Sequence, residues 1–406
     1  MKNDPSRPSV RLPRAGMTRR SALGAASAGA AALALAPSGP ARAAESAARI
    51  LAPAWGTVLV PPREPFTVPQ GGQLVRPVRS SLAGPSLAIE LANRHGTAPL
   101  VVRQVRISRA GSDVPVRFSE DEAVTIPPGA IVLSDPVDLA VSRGDELSLS
   151  ARFEAAVDLA DTDRRAALPG WIEDARGART QSPESALFST LYVAADPATR
   201  VLAILSDTKS AGPGSWAEML VDLLPTGIGV VNRSLYAGHL ALGPPGLGAL
   251  ARLERDVLSV PGITDVLLFA GNNDLIQPGM VGSSGAFSLD PSLMQSTAEL
   301  TGYLAHAARL VRARGMRAGA ATWLPYEGVT IAEGYSTPEK QRIRGEVNAW
   351  LRTTAALDWV VDFDEALRDP AAPTRLDARF DEGNHFTPNA AGYARMAQVM
   401  ADRLRN

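Results

Sequence analysis

The sequence contains no cysteine, and histidine and lysine are rare. Without cysteine the chain forms no disulfide, has no thiolate nucleophile and builds no cysteine-ligated zinc or iron–sulfur centre. The four histidines, which limit the choice of a histidine base or ligand, are His95, His239, His306 and His385. A Ser-His-Asp site therefore has at most four candidates for its base, and a three-histidine metal site would use nearly all of them.

Neither sign of charge is in excess. The chain has 41 Lys and Arg against 42 Asp and Glu, and only three of its basic residues are lysines. The formal net charge of −1 does not favour a nucleic-acid partner. A hydrophobic content of 45% is typical of globular proteins, and a length of 406 residues predicts two domains.

Residues 1–43 are typical of a targeting segment. Residues 18–23 read Thr-Arg-Arg-Ser-Ala-Leu, a twin-arginine pattern, and a short Ala-rich stretch over 22–36 precedes Ala-Arg-Ala at 41–43. The apolar stretch is too short to span a bilayer. We therefore expect a secreted protein, extracellular or in the cell envelope, with no membrane span. Removal of this segment, with its seven basic residues and one acidic residue, changes the formal net charge from −1 to −7.

Residues 44–195 are predicted to form an antiparallel β-sandwich domain and a connection. Segments 86–91, 100–107, 130–133 and 146–153 are rich in β-forming residues with partial alternation, and Pro and Gly separate them. The stretch 157–187 is polar and irregular, which favours a connection. Short strands with turn signals and no long helical segment are typical of a sandwich.

Residues 196–406 show an α/β pattern. Apolar runs at 201–205, 227–231, 265–270, 318–324 and 359–363 predict buried strands. Helical segments at 216–224, 250–258, 298–314, 338–354 and 390–404 alternate with them. This alternation predicts a parallel sheet covered on both faces, with ligands bound at the carboxyl ends of the strands.

The loops after these strands carry recognisable motifs. They include Ser206-Asp207-Thr208, Gly271-Asn272-Asn273-Asp274, Pro325-Tyr326-Glu327-Gly328, Val361-Asp362-Phe363-Asp364 and Pro388-Asn389-Ala390-Ala391-Gly392-Tyr393. Their order and spacing over residues 200–405 resemble the SGNH/GDSL hydrolase family. The whole mature chain resembles a secreted actinobacterial subgroup of that family with an N-terminal β-sandwich. The resemblance implies a flavodoxin-like three-layer α/β/α domain, acyl-ester hydrolysis or acyl transfer, and no metal or cofactor.

The family's catalytic roles map onto unusual residues in this chain. A serine nucleophile is implied after the first strand, where this sequence has Thr208 preceded by Asp207. The oxyanion asparagine corresponds to Asn273, which Asp274 follows. The oxyanion glycine corresponds to Ala237, with Gly238 beside it.

The C-terminal block departs furthest from the family pattern of Asp-x-x-His-Pro. Pro388, together with the Gly-Tyr pair four residues later, places Asn384 at the aspartate position and Thr387 at the histidine position. Neither side chain acts as a general base near neutral pH. We therefore expect ordinary ester hydrolysis to be weak or absent.

Three hypotheses stay open. In the first, the chain is an active acyl hydrolase or acyltransferase in which His385, oriented by Asp381 or Glu382, activates Thr208. The alternative is that His385 is a loop residue only, because catalytic geometry tolerates little displacement. In the second, the chain is a non-catalytic binding protein for a carbohydrate, lipid or partner.

In the third hypothesis the cleft carries a different chemistry. Ionisable candidates for it are Asp207, Lys209, Tyr236, Glu327 and His385. Lys209 is adjacent to Thr208, but we expect it to be a solvated lysine at a helix start. The partner expected under all three hypotheses is a small ester, glycan or lipid-like molecule.

Overall fold

The computed structural model describes residues 49–62, 66–163, 170–182, 186–212, 214–244, 246–282 and 284–405. The predicted targeting segment, residues 1–43, lies outside these ranges. In the described part of the chain, no helix has both the length and the hydrophobicity needed to cross a bilayer.

The N-terminal part is an antiparallel β-sandwich. Its strands are β1 (Ile50–Gly56), β2 (Leu59–Val60), β3 (Phe66–Val68), β4 (Gln73–Arg79), β5 (Leu87–Ala92), β6 (Leu100–Arg109), β7 (Ser112–Pro115), β8 (Ala123–Ile126), β9 (Ile131–Leu133), β10 (Glu146–Arg152), β11 (Val157–Leu159), β12 (Thr162–Asp163), β13 (Trp171–Glu173), β14 (Arg179–Gln181) and β15 (Phe188–Ala195). One sheet has the order β1-β15-β5-β9 and another has the order β14-β13-β4-β10-β6-β7, with β8 also on β6. The alternation in β10 buries Leu147, Leu149 and Ala151, so these residues form part of the core.

The prediction of an irregular connection over 157–187 is wrong for part of its length. β13 pairs with β4, where Trp171 lies opposite Val75, and β14 extends the same sheet. These strands have only three residues each and few apolar residues. Their pairing with a distant strand, which sequence periodicity does not show, places them in the sheet.

The C-terminal part is an α/β/α domain, as predicted. Its strands are β16 (Arg200–Ser206), β17 (Ile228–Asn232), β18 (Asp265–Phe269), β19 (Arg317–Ala321) and β20 (Trp359–Val361). They form a parallel sheet in the order β17-β16-β18-β19-β20, which is the flavodoxin-like order. β16 and β18 are buried nearly throughout, as expected for central strands covered on both faces.

The helices of this domain are α1 (Trp216–Leu223), α2 (Ala249–Leu253), α3 (Asn272–Ile276), α4 (Thr297–Ala313), α5 (Pro338–Thr353), α6 (Phe363–Leu367) and α7 (Ala390–Arg405). A π-helical turn, Glu254–Leu258, continues α2. α1, α6 and α7 form one packed group and α2, α4 and α5 form another, which gives the layers on the two faces of the sheet. The short helices α3 and α6 were not predicted, because five residues are too few to show helical periodicity.

Local capping explains where the helices begin. Ser296 and Glu299 form a capping box at the start of α4, and Thr337 precedes Pro338 at the start of α5. The side chain of Asn389 accepts the backbone N–H of Gly392 at 3.0 Å, which satisfies one donor in the first turn of α7. The Pro-Asn-Ala-Ala-Gly-Tyr motif therefore has a structural role of its own.

The sandwich contacts the edge of the parallel sheet. β1 lies against β17, and a Cβ atom built on Gly56 would be 2.7 Å from Val231 Cγ2. The hydroxyl of Ser81 donates to the carbonyl of Val230 at 2.8 Å and accepts its N–H at 3.0 Å. The strand that precedes the first candidate oxyanion loop is thus fixed by the sandwich.

Candidate active site

Thr208 lies at the carboxyl end of β16, in the middle of the parallel sheet. It opens a 3₁₀ turn, Thr208–Ser210, whose N-terminal end is capped by the carboxylate of Asp207 through the Lys209 N–H at 3.2 Å. Thr208 is half-buried, and its Oγ1 accepts the backbone N–H of Ala237 at 2.9 Å. The hydroxyl at the family's nucleophile position is therefore next to the loop that follows β17.

Ala237 adopts the backbone conformation that suits glycine. Its φ of +54° is in the left-handed region, where an L-residue with a Cβ is strained. In this conformation its N–H is directed at Thr208, so an amide donor remains at the family's glycine position. The neighbouring Gly238 carbonyl accepts the side-chain amide of Asn273 at 2.7 Å.

Asn273 and Asp274 lie on α3, directly after β18. Asn273 is buried, and its bond to Gly238 joins the two loops that carry the candidate oxyanion donors. The carboxylate of Asp274 is fully buried and accepts three consecutive backbone N–H groups, from Leu240, Ala241 and Leu242, at 2.6, 2.8 and 2.8 Å. Asp274 thus holds the shape of the loop, which is a structural role.

The C-terminal loop contains a hydrogen-bonded pair, Asn384 and Thr387, at the positions where we expect the acid and the base from the sequence. The Asn384 side-chain amide donates to the Thr387 hydroxyl at 3.0 Å. The amide oxygen of Asn384 accepts the backbone N–H groups of Phe386 at 2.9 Å and Thr387 at 2.7 Å. The pair keeps the loop ordered, but it offers no group that takes a proton from Thr208 near neutral pH.

His385 forms a second pair, with Asp381. Its Nδ1 is 2.7 Å from Asp381 Oδ2, and its backbone N–H donates to Asp381 Oδ1 at 3.0 Å. The His385 side chain is 53% exposed and its φ is +60°. Among the described residues, no hydrogen bond joins His385 to Thr208, so the structure does not bring these two together.

Glu382 is not the partner of His385. The acid-x-x-His spacing suggested that role, but the contact is with Asp381, one residue earlier. Glu382 is exposed, and its backbone N–H donates to the carbonyl of Thr387 at 2.9 Å. This bond closes the loop, and the turn that follows directs the imidazole to Asp381.

Lys209 is buried, which contradicts the prediction of a solvated lysine. Its Nζ donates to the carbonyl of Phe386 at 2.8 Å and lies over the Phe386 ring. The bond ties the nucleophile turn to the C-terminal loop, across 177 residues of sequence. No sequence pattern signals this contact, because it joins two loops that meet only in the folded sheet.

Burial shifts the pKa values of the two ionisable groups beside Thr208, Asp207 and Lys209, in the direction that favours their neutral forms. Burial lowers the pKa of Lys209 well below its usual range, while the carboxylate of Asp207 opposes that shift. Burial also raises the pKa of Asp207 to about 6, and Asp274 adds to the increase.

The remaining candidates have no hydrogen bond to Thr208 among the described residues. Glu327 binds Thr374 and Arg375, and Tyr236 is 48% exposed on the loop after β17. His239 is buried near Asp274, and burial lowers its pKa. His95 pairs with Asp161 in the sandwich, and His306 is exposed on α4. The described residues contain no group of three or more His, Asp or Glu side chains that would hold a metal ion.

Comparisons with known proteins identify a family for the C-terminal part of the chain. The model of the GDSL-like Lipase/Acylhydrolase family matches residues 173–400. Similar solved structures include a carbohydrate acetylesterase from Sinorhizobium meliloti, with 12% identity over 51% of this chain and 99% of that one, at a TM-score of 0.38. A GDSL-like lipase from Bacteroides thetaiotaomicron has 17% identity over 51% and 88% of the two chains, at a TM-score of 0.36.

An aryl esterase from M. smegmatis has 11% identity over 51% of this chain and 99% of that chain, at a TM-score of 0.38. No curated protein matches the sequence. The family model covers more than half of the chain, including the turn at Thr208 and the loop at 381–388. The chain therefore belongs to the GDSL-like lipase/acylhydrolase family.

Proposed function

We propose that this protein binds a small acyl-bearing molecule in the family cleft and hydrolyses esters weakly or not at all. The observation that carries the proposal is the hydrogen bond between Asn384 and Thr387 at the Asp-x-x-His positions. An amide and a hydroxyl replace the carboxylate and the imidazole there. The proton acceptor that the family chemistry needs is thus missing at its usual position.

The energetic consequence is large. An alcohol nucleophile attacks an ester at a useful rate only when a positioned base takes its proton. Loss of a single member of a catalytic triad lowers the rate by about 10⁴- to 10⁶-fold. The extra methyl group of Thr208 also restricts rotation about its Cα–Cβ bond, which limits its approach to a carbonyl carbon.

The features that favour binding are kept. The backbone N–H of Ala237 and the side-chain amide of Asn273 are donors of the kind that bind a carbonyl oxygen, and they bond here to Thr208 Oγ1 and to the Gly238 carbonyl. Exposed apolar side chains lie on loops that follow three strands of the sheet: Tyr236, Phe287 and Ile331. Such polar and apolar surfaces together suit an ester, an acylated sugar or a lipid-like molecule.

Hydrolysis of p-nitrophenyl acetate tests the loss of turnover. We expect no release above background from the wild type, and measurable release from the triple variant Thr208→Ser, Asn384→Asp, Thr387→His. The matched control carries Thr208→Ala with the same two C-terminal changes and stays inactive. Wild-type hydrolysis that is lost in Thr208→Ala would overturn the proposal.

A second candidate is an active hydrolase with a displaced base. The bond of 2.7 Å between His385 and Asp381 favours it, because it orients an imidazole as catalytic pairs require. Movement of the loop would have to bring His385 to Thr208. Under this candidate His385→Ala and Asp381→Asn both abolish wild-type release, whereas Glu382→Gln leaves it unchanged.

Binding is tested by thermal unfolding with two probes, octanoate and an acetylated monosaccharide. A ligand that binds only the folded state raises the melting temperature, and the increase grows with ligand concentration. We expect one of the two probes to raise the melting temperature of the wild type. The same probe should not raise the melting temperature of Asn273→Leu. No shift with either probe at millimolar concentration speaks against a binding function.

We further propose twin-arginine export, on the strength of the pattern at residues 18–23. The measurement is the fraction of the full chain found outside the cytoplasm of an expressing actinobacterial host. Replacement of Arg19 and Arg20 by lysine should retain the protein inside the cell. Unchanged export of this double variant would exclude the route.

A further inference from the structure

A cavity of about 290 Å³ lies between the sandwich and the α/β domain, and Thr208 is not one of its lining residues. It is bounded by β1 and β4 on one side and by α1 and β17 on the other. The residues that line it are Ala54, Trp55, Gly56, Val78, Val221 and Val230, with Arg79, Glu146, Glu218 and Asn232 among the polar ones. None of the candidate catalytic or oxyanion residues lines this cavity.

The packing of the two domains creates this space. Gly56 has no side chain, so β1 approaches β17 closely at one point, while beside it the small residues Ala54 and Ala217 leave room. Trp55 is the largest apolar side chain in the wall. Ligand sites are frequent at domain interfaces and combine apolar walls with a few polar groups. The volume is about twice that of an apolar cavity known to hold benzene.

The charges at the cavity determine which ligand suits it. Arg79 is already paired with the carboxylate of Asp222, with one bond of 3.2 Å. Glu146 and Glu218 also line the cavity and lie close enough to Arg79 to contribute to its raised pKa, and Glu218 accepts the backbone N–H of Gly214 at 2.9 Å. The net charge of these four side chains is negative, which favours a cation and disfavours an anion.

We propose that this cavity binds a small apolar amine. The aromatic or branched alkyl part of the amine enters the space beside Trp55 and Val221, and its ammonium group lies near Glu146 and Glu218. An aryl group packs favourably against an indole ring, so an arylalkyl amine suits the wall that Trp55 provides. The site is separate from the family cleft and independent of the function proposed for it.

Isothermal titration of the full chain with phenethylammonium chloride tests this proposal. We expect saturable binding of one equivalent, and weaker or no binding of phenylpropionate, which has similar size and opposite charge. The double variant Glu146→Gln, Glu218→Gln should weaken binding of the amine by about tenfold, because two partly solvated charges are lost. The matched control is Glu154→Gln, which removes an exposed carboxylate elsewhere on the sandwich and should leave binding of the amine unchanged.

Two further variants locate the site. Val221→Trp fills the cavity and should abolish binding of the amine, whereas Thr208→Ala leaves it unchanged. If Val221→Trp fails to fold, the glutamine variants still test the proposal, because they replace two carboxylates of the lining and leave its apolar wall unchanged. Absence of saturable binding, equal affinity for phenylpropionate, or binding lost in Thr208→Ala and kept in the glutamine variants would overturn the proposal.

Discussion

At the scale of single residues, burial changes the chemistry of Asp207 and Lys209. They flank Thr208, and each is pushed in the direction of its neutral form by desolvation. The spacing to Pro388 predicts that Asn384 and Thr387 stand at the acid and base positions, and this prediction needs only local sequence. The burial of Lys209 under Phe386 was not predictable, because the two residues are far apart in the chain.

The stability of the protein should depend on pH through Asp207. Its pKa is about 6 in the folded state against 3.8 when unfolded, so the folded state binds more protons between these values. The contribution of Asp207 to the free energy of unfolding therefore falls as pH rises from about 4 to 6. Asp207→Asn should remove this fall, as measured by urea unfolding between pH 4 and 7.

The control for this measurement is Asp290→Asn. Hydrogen bonds from Ser292 lower the pKa of the exposed Asp290, so its contribution to stability is present above the unfolded pKa and is lost as pH falls. The control should not remove the fall between pH 4 and 6. Parallel pH profiles for the wild type and Asp207→Asn would contradict the assignment.

At the scale of elements, side-chain volume sets how strands meet. Gly319 in β19 pairs with Trp359 in β20, and a Cβ on Gly319 would lie 2.1 Å from the indole ring. The strand pattern at 318–324 was predicted from its apolar residues. The need for glycine at position 319 was not predicted, because the indole ring that covers Gly319 belongs to Trp359 on another strand.

Replacement of Gly319 by alanine should therefore destabilise the domain. Overpacking of this kind lowers the free energy of unfolding by about 1–3 kcal/mol. The matched control is Gly302→Ala, in α4, where an added Cβ meets open space and should raise stability by up to about 1 kcal/mol. Urea unfolding of both variants at neutral pH checks the contrast, and equal effects would refute the steric argument.

At the scale of the whole molecule, Arg233 joins the two domains. Its guanidinium donates to the carbonyls of Thr57 and Ser189 and to the hydroxyl of Thr190, all in the sandwich. Arg233 directly follows β17, and the loop after β17 places the backbone N–H of Ala237 within hydrogen-bond distance of Thr208. The sandwich thus supports the loop that forms one wall of the candidate site.

Arg233→Met should destabilise the protein and loosen the junction. Several hydrogen-bond acceptors lose a buried charged donor, which costs about 3 kcal/mol. We expect a lower urea midpoint and separation of the unfolding of the two domains, followed by tryptophan fluorescence and circular dichroism. Arg342→Met, which removes exposed ion pairs on α5, should change stability by less than about 1 kcal/mol. A single transition with an unchanged midpoint in Arg233→Met would refute the role.

The sequence by itself determined the α/β order and the antiparallel sandwich, and its motif spacing predicts substitutions at the family's catalytic positions. These follow from periodicity and from motif spacing, which are local properties of the chain. Only the tertiary structure decided that Asp381 rather than Glu382 holds His385, that Lys209 is buried, and that 157–187 contributes strands. These three features depend on contacts between segments that are remote in sequence, or on the path of a turn. The residue pattern of a single segment shows neither such contacts nor such a path.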